Sequence, residues 1–186
     1  METIVVNENE KLVLPVLWTG EETELCYDIS LAGRGASIHF IGLLLGEATQ
    51  SLKLKVTVKH QAEDTKSNVI IKSALRGTAS VFFDGLIKIE HGAKGTDAWL
   101  AAHILLLSQK AKGIAVPNLE ILENDIKAGH ATTVGRINDL ELFYLMSRGL
   151  PEEKAKQLIV EGFLESILNQ FPKELVNKAS RNFCIG

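Results

Sequence analysis

Polar and apolar residues alternate most strictly in SLKLKVTVKH (51–60). Leu52, Leu54, Val56 and Val58 fall on one side, and Lys53, Lys55 and Thr57 on the other. A period of two predicts a β-strand with one face buried and one in water. Shorter stretches rich in Val, Ile and Leu predict strands at 3–6, 11–18, 25–31, 37–45, 68–75, 78–83, 86–90, 104–107, 114–116, 119–123 and 126–133. Pro15 marks an edge strand or a break within 11–18. Gly, Asp and Asn punctuate the series, with Asp84-Gly85 the one tight hairpin signal. The run 99–107 has an apolar density that fits strand or helix. Short strands at such regular spacing predict an all-β sandwich, a barrel or a solenoid. No exact repeat is visible, so the pattern leaves that choice open.

After Gly135 the period changes. Asn138 is placed to cap a helix, with Glu141 three residues on as its capping-box partner. Leu140, Phe143, Tyr144 and Ser147 fall on one face of that helix, and Gly149 supplies its left-handed stop. Pro151 opens a second helix, with Glu152 and Glu153 in the first turn, where the dipole favours acids. Ala155, Leu158, Ile159, Gly162, Phe163, Ser166 and Ile167 form its predicted inward stripe. Phe171-Pro172 ends it, and 172–180 is read as a third short helix.

Composition narrows the function classes. The 186 residues are 46% hydrophobic and 23% charged, with a net charge of −3 and 6% aromatics. That is ordinary globular composition, without the basic footprint of a nucleic-acid binder. Cys26 and Cys184 fit no paired-ligand spacing, which argues for a reducing compartment, and Cys26 reads as a core residue. The N-terminus lacks the layout of a signal peptide, and the apolar run 98–107 is too short to span a bilayer. A cytoplasmic location is expected. There is no P-loop, no Ser/His/Asp signature and no zincin motif, so no catalytic residue is assigned and an enzyme is not expected. A left-handed acyltransferase solenoid would need hexapeptide repeats, which are absent.

The strings PNLEI (117–121), NDIKAGHATTVG (124–135) and LFYLMSRGL (142–150), with the spaced Ala155, Leu158, Gly162 and Phe163, resemble the C-terminal core of the SufB/SufD family of the SUF iron–sulfur cluster assembly machinery. The segments 59–75, 80–89 and 103–111 look like family segments too, so the resemblance covers roughly residues 33–180. It implies a mainly β chain. A right-handed parallel β-helix would occupy 1–137, and a small helical domain 138–186. It also implies a scaffold or partner subunit that pairs with itself or with a SufB/SufD relative. Such a subunit docks on an ABC-type ATPase and handles a transient cluster, with no cofactor held tightly. The alternative is a structural interaction module that keeps the fold and the docking but binds no cluster.

Departures from the family pattern fall at the site. The chain is shorter than typical members and lacks their N-terminal helical region. B-type members carry a glutamate where this chain has Ala131. D-type members often carry a cysteine at the position of Ala128. The upstream B-type cysteine falls near Ala102. His130 therefore stands as the first metal candidate, since imidazole suits iron. His103 and Cys184 are further candidates. Ile126, Ala128, His130 and Thr132 share one parity and are expected at a dimer junction near 119–133. Phe143, Tyr144, Arg148, Gly149, Leu150 and Pro151 are expected to contact the ATPase.

Overall fold

The computed structural model describes residues 1–183. Ten strands come first: β1 (Glu2–Val6), β2 (Lys11–Trp18), β3 (Glu24–Leu31), β4 (Ser37–Gly46), β5 (Ser51–His60), β6 (Lys66–Leu75), β7 (Ser80–Ile89), β8 (Thr96–Leu106), β9 (Lys112–Ile121) and β10 (Ile126–Arg136). Three helices follow: α1 (Asp139–Ser147), α2 (Glu152–Leu168) and α3 (Lys173–Phe183). Odd and even strands separate into two all-parallel sheets, ordered β1-β3-β5-β7-β9 and β10-β8-β6-β4-β2. Each pair of strands is one turn of a β-solenoid, five turns in all. This resolves the choice that strand spacing alone left open.

Register explains why no repeat is visible in the sequence. Glu2 pairs with Tyr27, Ser51 with Ser80, and Ser80 with Lys112, so a turn consumes from 25 to 32 residues. What recurs is inward parity. Leu31, His60, Ile89 and Ile121 form one column, and Phe40, Val69, Leu100 and His130 another. The inward columns fuse into one core that includes Trp18, Ile29, Phe40, Leu54, Val58, Ile71, Phe83 and Leu100, all essentially inaccessible. Cys26 has the opposite parity: it pairs with Lys55 on the outer face of the odd-strand sheet and is half-buried, not core.

Two pairs of predicted strands are each one strand. The segments 78–83 and 86–90 join in β7, and 114–116 and 119–123 join in β9. Gly85 and Pro117 are register partners in one inward column. Gly85 is there for space: a Cβ on it would lie 2.7 Å from Leu100 Cδ1 and 2.8 Å from Phe83 Cζ. Pro117 is tolerated because β9 is the edge of its sheet. Pro15 likewise sits in an edge strand, β2, without breaking it. The ambiguous run 99–107 lies mostly in strand β8.

One set of turns is built on stacked left-handed residues. Asn9 (φ 57°), Gly35 (φ 69°), Asp64 (φ 58°) and Gly95 (φ 71°) occupy it in successive turns. Their amides donate up the stack, Asn9 N to Arg34 O, Gly35 N to Glu63 O and Asp64 N to Lys94 O. Gly, Asn and Asp are the residues that tolerate this region.

The helices cover part of the outer face of the even-strand sheet. Ile41, Leu43, Leu45, Ala74 and Leu105 point outward and bury against Val160, Leu164, Ile167, Phe171, Ala179 and Phe183. The buried face of α2 is thus Ala155, Val160, Leu164 and Ile167. This corrects the predicted stripe, because Leu158 is turned away and exposed. Asn138 caps α1, its Oδ1 accepting from Leu140 N at 2.9 Å. Gly149 (φ 92°) terminates it as expected. Pro151 is the N-cap of α2, one position before the predicted one. No helix among the described residues is long and apolar enough to cross a membrane.

Candidate functional site

β10 closes its sheet. It pairs with β8 on one side, and no strand lies beyond it among the described residues. Ile126, Ala128, His130 and Thr132 pair with Thr96, Ala98, Leu100 and Ala102, so they share the inward face as their spacing requires. Ile126 and Ala128 still pack against the core. His130 continues the Phe40–Val69–Leu100 column but is exposed, because no further turn among the described residues covers it. Ile121 and Val134, also in inward columns, are 43% and 44% exposed. The end of the solenoid is therefore a cross-section of its core, with imidazole in the place of an aliphatic side chain. Among the described residues no hydrogen bond engages the His130 ring.

His103 lies elsewhere. Its partner in register is Thr133, on the outer face of the same sheet. Its Nδ1 is 2.8 Å from Thr133 Oγ1. Burial and then the neighbouring Lys72 ammonium lower its pKa. Lys72 itself donates to the Phe163 carbonyl and lies 4.6 Å from the centroid of the Phe163 ring. His103 and His130 thus face opposite sides of one sheet, and the structure does not bring them together. Cys184 lies outside the described residues.

Of the carboxylates near the edge, Glu120 is paired with Lys88 and Glu123 is committed to backbone. Glu123 accepts from Gly92 N at 3.0 Å and Asn124 N at 2.8 Å, which holds its pKa low. Among the described residues no group of three or more His, Cys, Asp or Glu could hold a metal ion. Among the described residues the donor set at this edge is one imidazole and no thiolate. It fits a contribution to an iron site, not a complete one.

The second exposed feature is α1, which buries no residue at all. Phe143 and Tyr144 are 69% and 56% exposed. The Arg148 guanidinium sits 5.1 Å from the Tyr144 ring centroid, a cation–π arrangement. Gly149, Leu150 and Pro151 make the turn into α2. Leu140, Glu141, Tyr144, Leu145, Leu158 and Ile159 line a mostly apolar groove of about 480 Å³ between the two helices. Sequence reasoning omitted Leu140 and Leu158 from this surface. The helical period places Leu158 in the inward stripe, since it cannot say which of two apolar flanks meets the sheet.

Comparison with known proteins gives a consistent match. The family model described as "SUF system FeS cluster assembly, SufBD core domain" matches residues 12–163. The iron–sulfur cluster assembly protein SufD of Bacillus subtilis is 38% identical over 136 residues, covering 73% of this chain and 31% of that protein. An iron–sulfur cluster assembly SufBD family protein of Mycobacterium tuberculosis is 36% identical over 161 residues, covering 82% and 41%. A second one from the same organism is 32% identical over 184 residues, covering 97% and 20%. The chain spans about a fifth to two fifths of the length of these relatives.

Proposed function

Since the chain belongs to the SufBD core family of the SUF iron–sulfur cluster assembly system, we propose that it acts there as a scaffold or partner subunit that supplies one ligand to a shared cluster. The observation that carries this reading is His130: an imidazole in a core column, exposed at the last strand of the solenoid. Unpaired parallel edges with exposed apolar side chains are templates for pairing with another chain. A second copy, or a longer relative, adds its own edge at β9 and β10 and covers Ile126, Ala128, His130 and Thr132. Ligands from both partners then complete the site, with the cluster as transient cargo. α1 and the turn at Arg148, Gly149, Leu150 and Pro151 dock on the ABC-type ATPase, where the large apolar helix face finds a groove.

Anaerobic loading with iron and sulfide, wild type against His130→Ala, tests the cluster role. Loss of the visible absorbance in the variant is the expected result, and equal absorbance removes His130 from the mechanism. Co-elution with the ATPase in gel filtration tests the docking, and separate elution of two folded proteins sinks it.

A second reading has its own support. Among the described residues no thiolate lies at the edge, which suits a structural module that pairs and docks but binds no cluster. A colourless protein that takes up no iron anaerobically, alone and with its partner subunit, favours that reading.

A further inference from the structure

The turns of the solenoid are electrostatically unequal. Those at 7–10, 32–36, 61–65, 90–95 and 122–125 carry seven carboxylates against two cations. On the opposite side the turns at 19–23 and 47–50 carry Glu21, Glu22 and Glu47, but the turn between β8 and β9 has no carboxylate: it carries Lys110 and runs directly into Lys112. There Thr78, Ser80, Gln109, Lys110 and Lys112 enclose a groove of about 410 Å³ with no carboxylate in its lining. Among the described residues neither lysine makes an ion pair. The groove of similar volume beside it, between the sheet and the helices, differs. Its Arg76 is paired with Glu47, and its Lys156 with Glu152 and Glu153.

The lysine turn is also pinned. Ala111 is buried, which sets Lys110 and Lys112 on either side of an anchor. Gly77 N donates to Ser108 Oγ at 2.9 Å, Ala111 N to Ser108 O at 3.3 Å, and Arg136 Nη2 to Gln109 O at 3.2 Å. The groove wall is fixed as well: the Thr78 hydroxyl donates to Ala48 O at 2.9 Å and Ser80 to Ser51 Oγ at 2.8 Å. A ligand meeting these residues orders only two lysine side chains and one amide, because the backbone is already set.

We propose that this groove binds a phosphate-type oxyanion, as the free ion or as the terminal group of a small phosphate ester. The Lys110 and Lys112 ammonium groups provide the charge, and the Gln109 side-chain amide a further donor. An ammonium pair suits a multiply charged oxyanion, since each contact is charge-assisted. The groove lies apart from the His130 edge and does not depend on the cluster reading.

The test is amide NMR of the full chain titrated with inorganic phosphate and, separately, with glycerol 3-phosphate, each against chloride at matched ionic strength. Saturable shifts of the 77–80 and 108–112 amides are expected with phosphate and absent with chloride. Tighter saturation by the ester assigns an esterified ligand, and equal or weaker saturation the free ion. In Lys110→Ala/Lys112→Ala binding should weaken about tenfold or more, while Lys110→Arg/Lys112→Arg retains it. Both lysines are exposed, so the variants keep the fold; the Arg pair serves as the folded reference should the Ala pair not. No saturable shift, the same shifts with chloride, or full binding by the alanine variant overturns the proposal.

Discussion

The indole of Trp99 lies across Gly129, its partner in register on the last strand, so closely that a Cβ on the glycine would fall 2.5 Å from Trp99 Cζ3. Trp99 is 46% exposed, on the outer face of β8, while the next residue after Gly129 is the inward His130. The glycine therefore lets a large side chain cover the edge strand beside the candidate ligand. Gly129→Ala should displace the indole and cost about 1 kcal/mol, the low end for overpacking because the ring is free to turn outward. In a Trp18→Phe background the emission of Trp99 should shift to the red. Trp99→Ala should then remove most of the cost of Gly129→Ala, since the two share one contact. Unchanged emission and stability in Gly129→Ala disproves the coupling.

Ala48 and Gly77 make an opposite-signed pair. Ala48 holds φ 50° without the Asn or Asp side chain that eases this region. Its carbonyl accepts from Thr78 N at 2.7 Å, so the turn is held by the next one. A Cβ on Gly77 (φ 71°) would lie 2.9 Å from that same carbonyl oxygen. Ala48→Gly should raise stability by up to about 1 kcal/mol by relieving left-handed strain, less the added entropy of the unfolded chain. Gly77→Ala should lower it by at least as much. Urea midpoints that move in the same direction for both variants refute this account.

α1 separates binding from stability. None of its residues is buried, so Leu140→Ser/Phe143→Ser removes little from the folded chain. Its stability should stay within about 0.5 kcal/mol of wild type. Co-elution with the proposed ATPase partner should nevertheless be lost. A double variant that unfolds readily shows instead that this face packs on the protein's own surface.

What the sequence made legible follows from which forces are local. Strict alternation in β5 and the caps at Asn138 and Gly149 depend on near neighbours, and the structure has them. Gly85 and Pro117 misled because turn propensity is a local statistic. In a solenoid both answer to what packs around them, Gly85 to Leu100 on the facing sheet and to Phe83 beside it, Pro117 to the edge. The shared parity of Ile126, Ala128, His130 and Thr132 was readable from spacing. Their exposure was not, because a strand pattern does not reveal which turn is the last. The separation of His103 from His130 likewise depends on register, which the sequence does not state. The face of α2 was misjudged because the outward Ile41, Leu43 and Leu45 choose it, and nothing within the helix names them.

His60 carries the sharpest pH dependence. It occupies a core column between Leu31 and Ile89 with no exposed surface. Its Nδ1 is 2.8 Å from Thr65 Oγ1 and its Nε2 2.8 Å from Ser67 Oγ, and Thr65 Oγ1 is 3.0 Å from Thr96 Oγ1. These are hydroxyls, with no carboxylate to stabilise an imidazolium. Burial accordingly pushes the pKa down to about 4. In the unfolded chain the ring titrates near 6.5, so between these values only the unfolded state takes up the proton. Its contribution is complete above pH of about 6.5 and is lost progressively as pH falls toward 4, about 2 kcal/mol of it by pH 5. His60→Leu restores an aliphatic column and removes the proton uptake, at the cost of the two hydroxyl contacts. Its stability at pH 7 should fall, yet its loss between pH 7 and pH 5 should be smaller than wild type's by about 2 kcal/mol. Urea unfolding at both pH values measures that difference. If the variant loses as much as wild type over the same interval, the acid sensitivity belongs to other groups and His60 is only a polar bridge in the core.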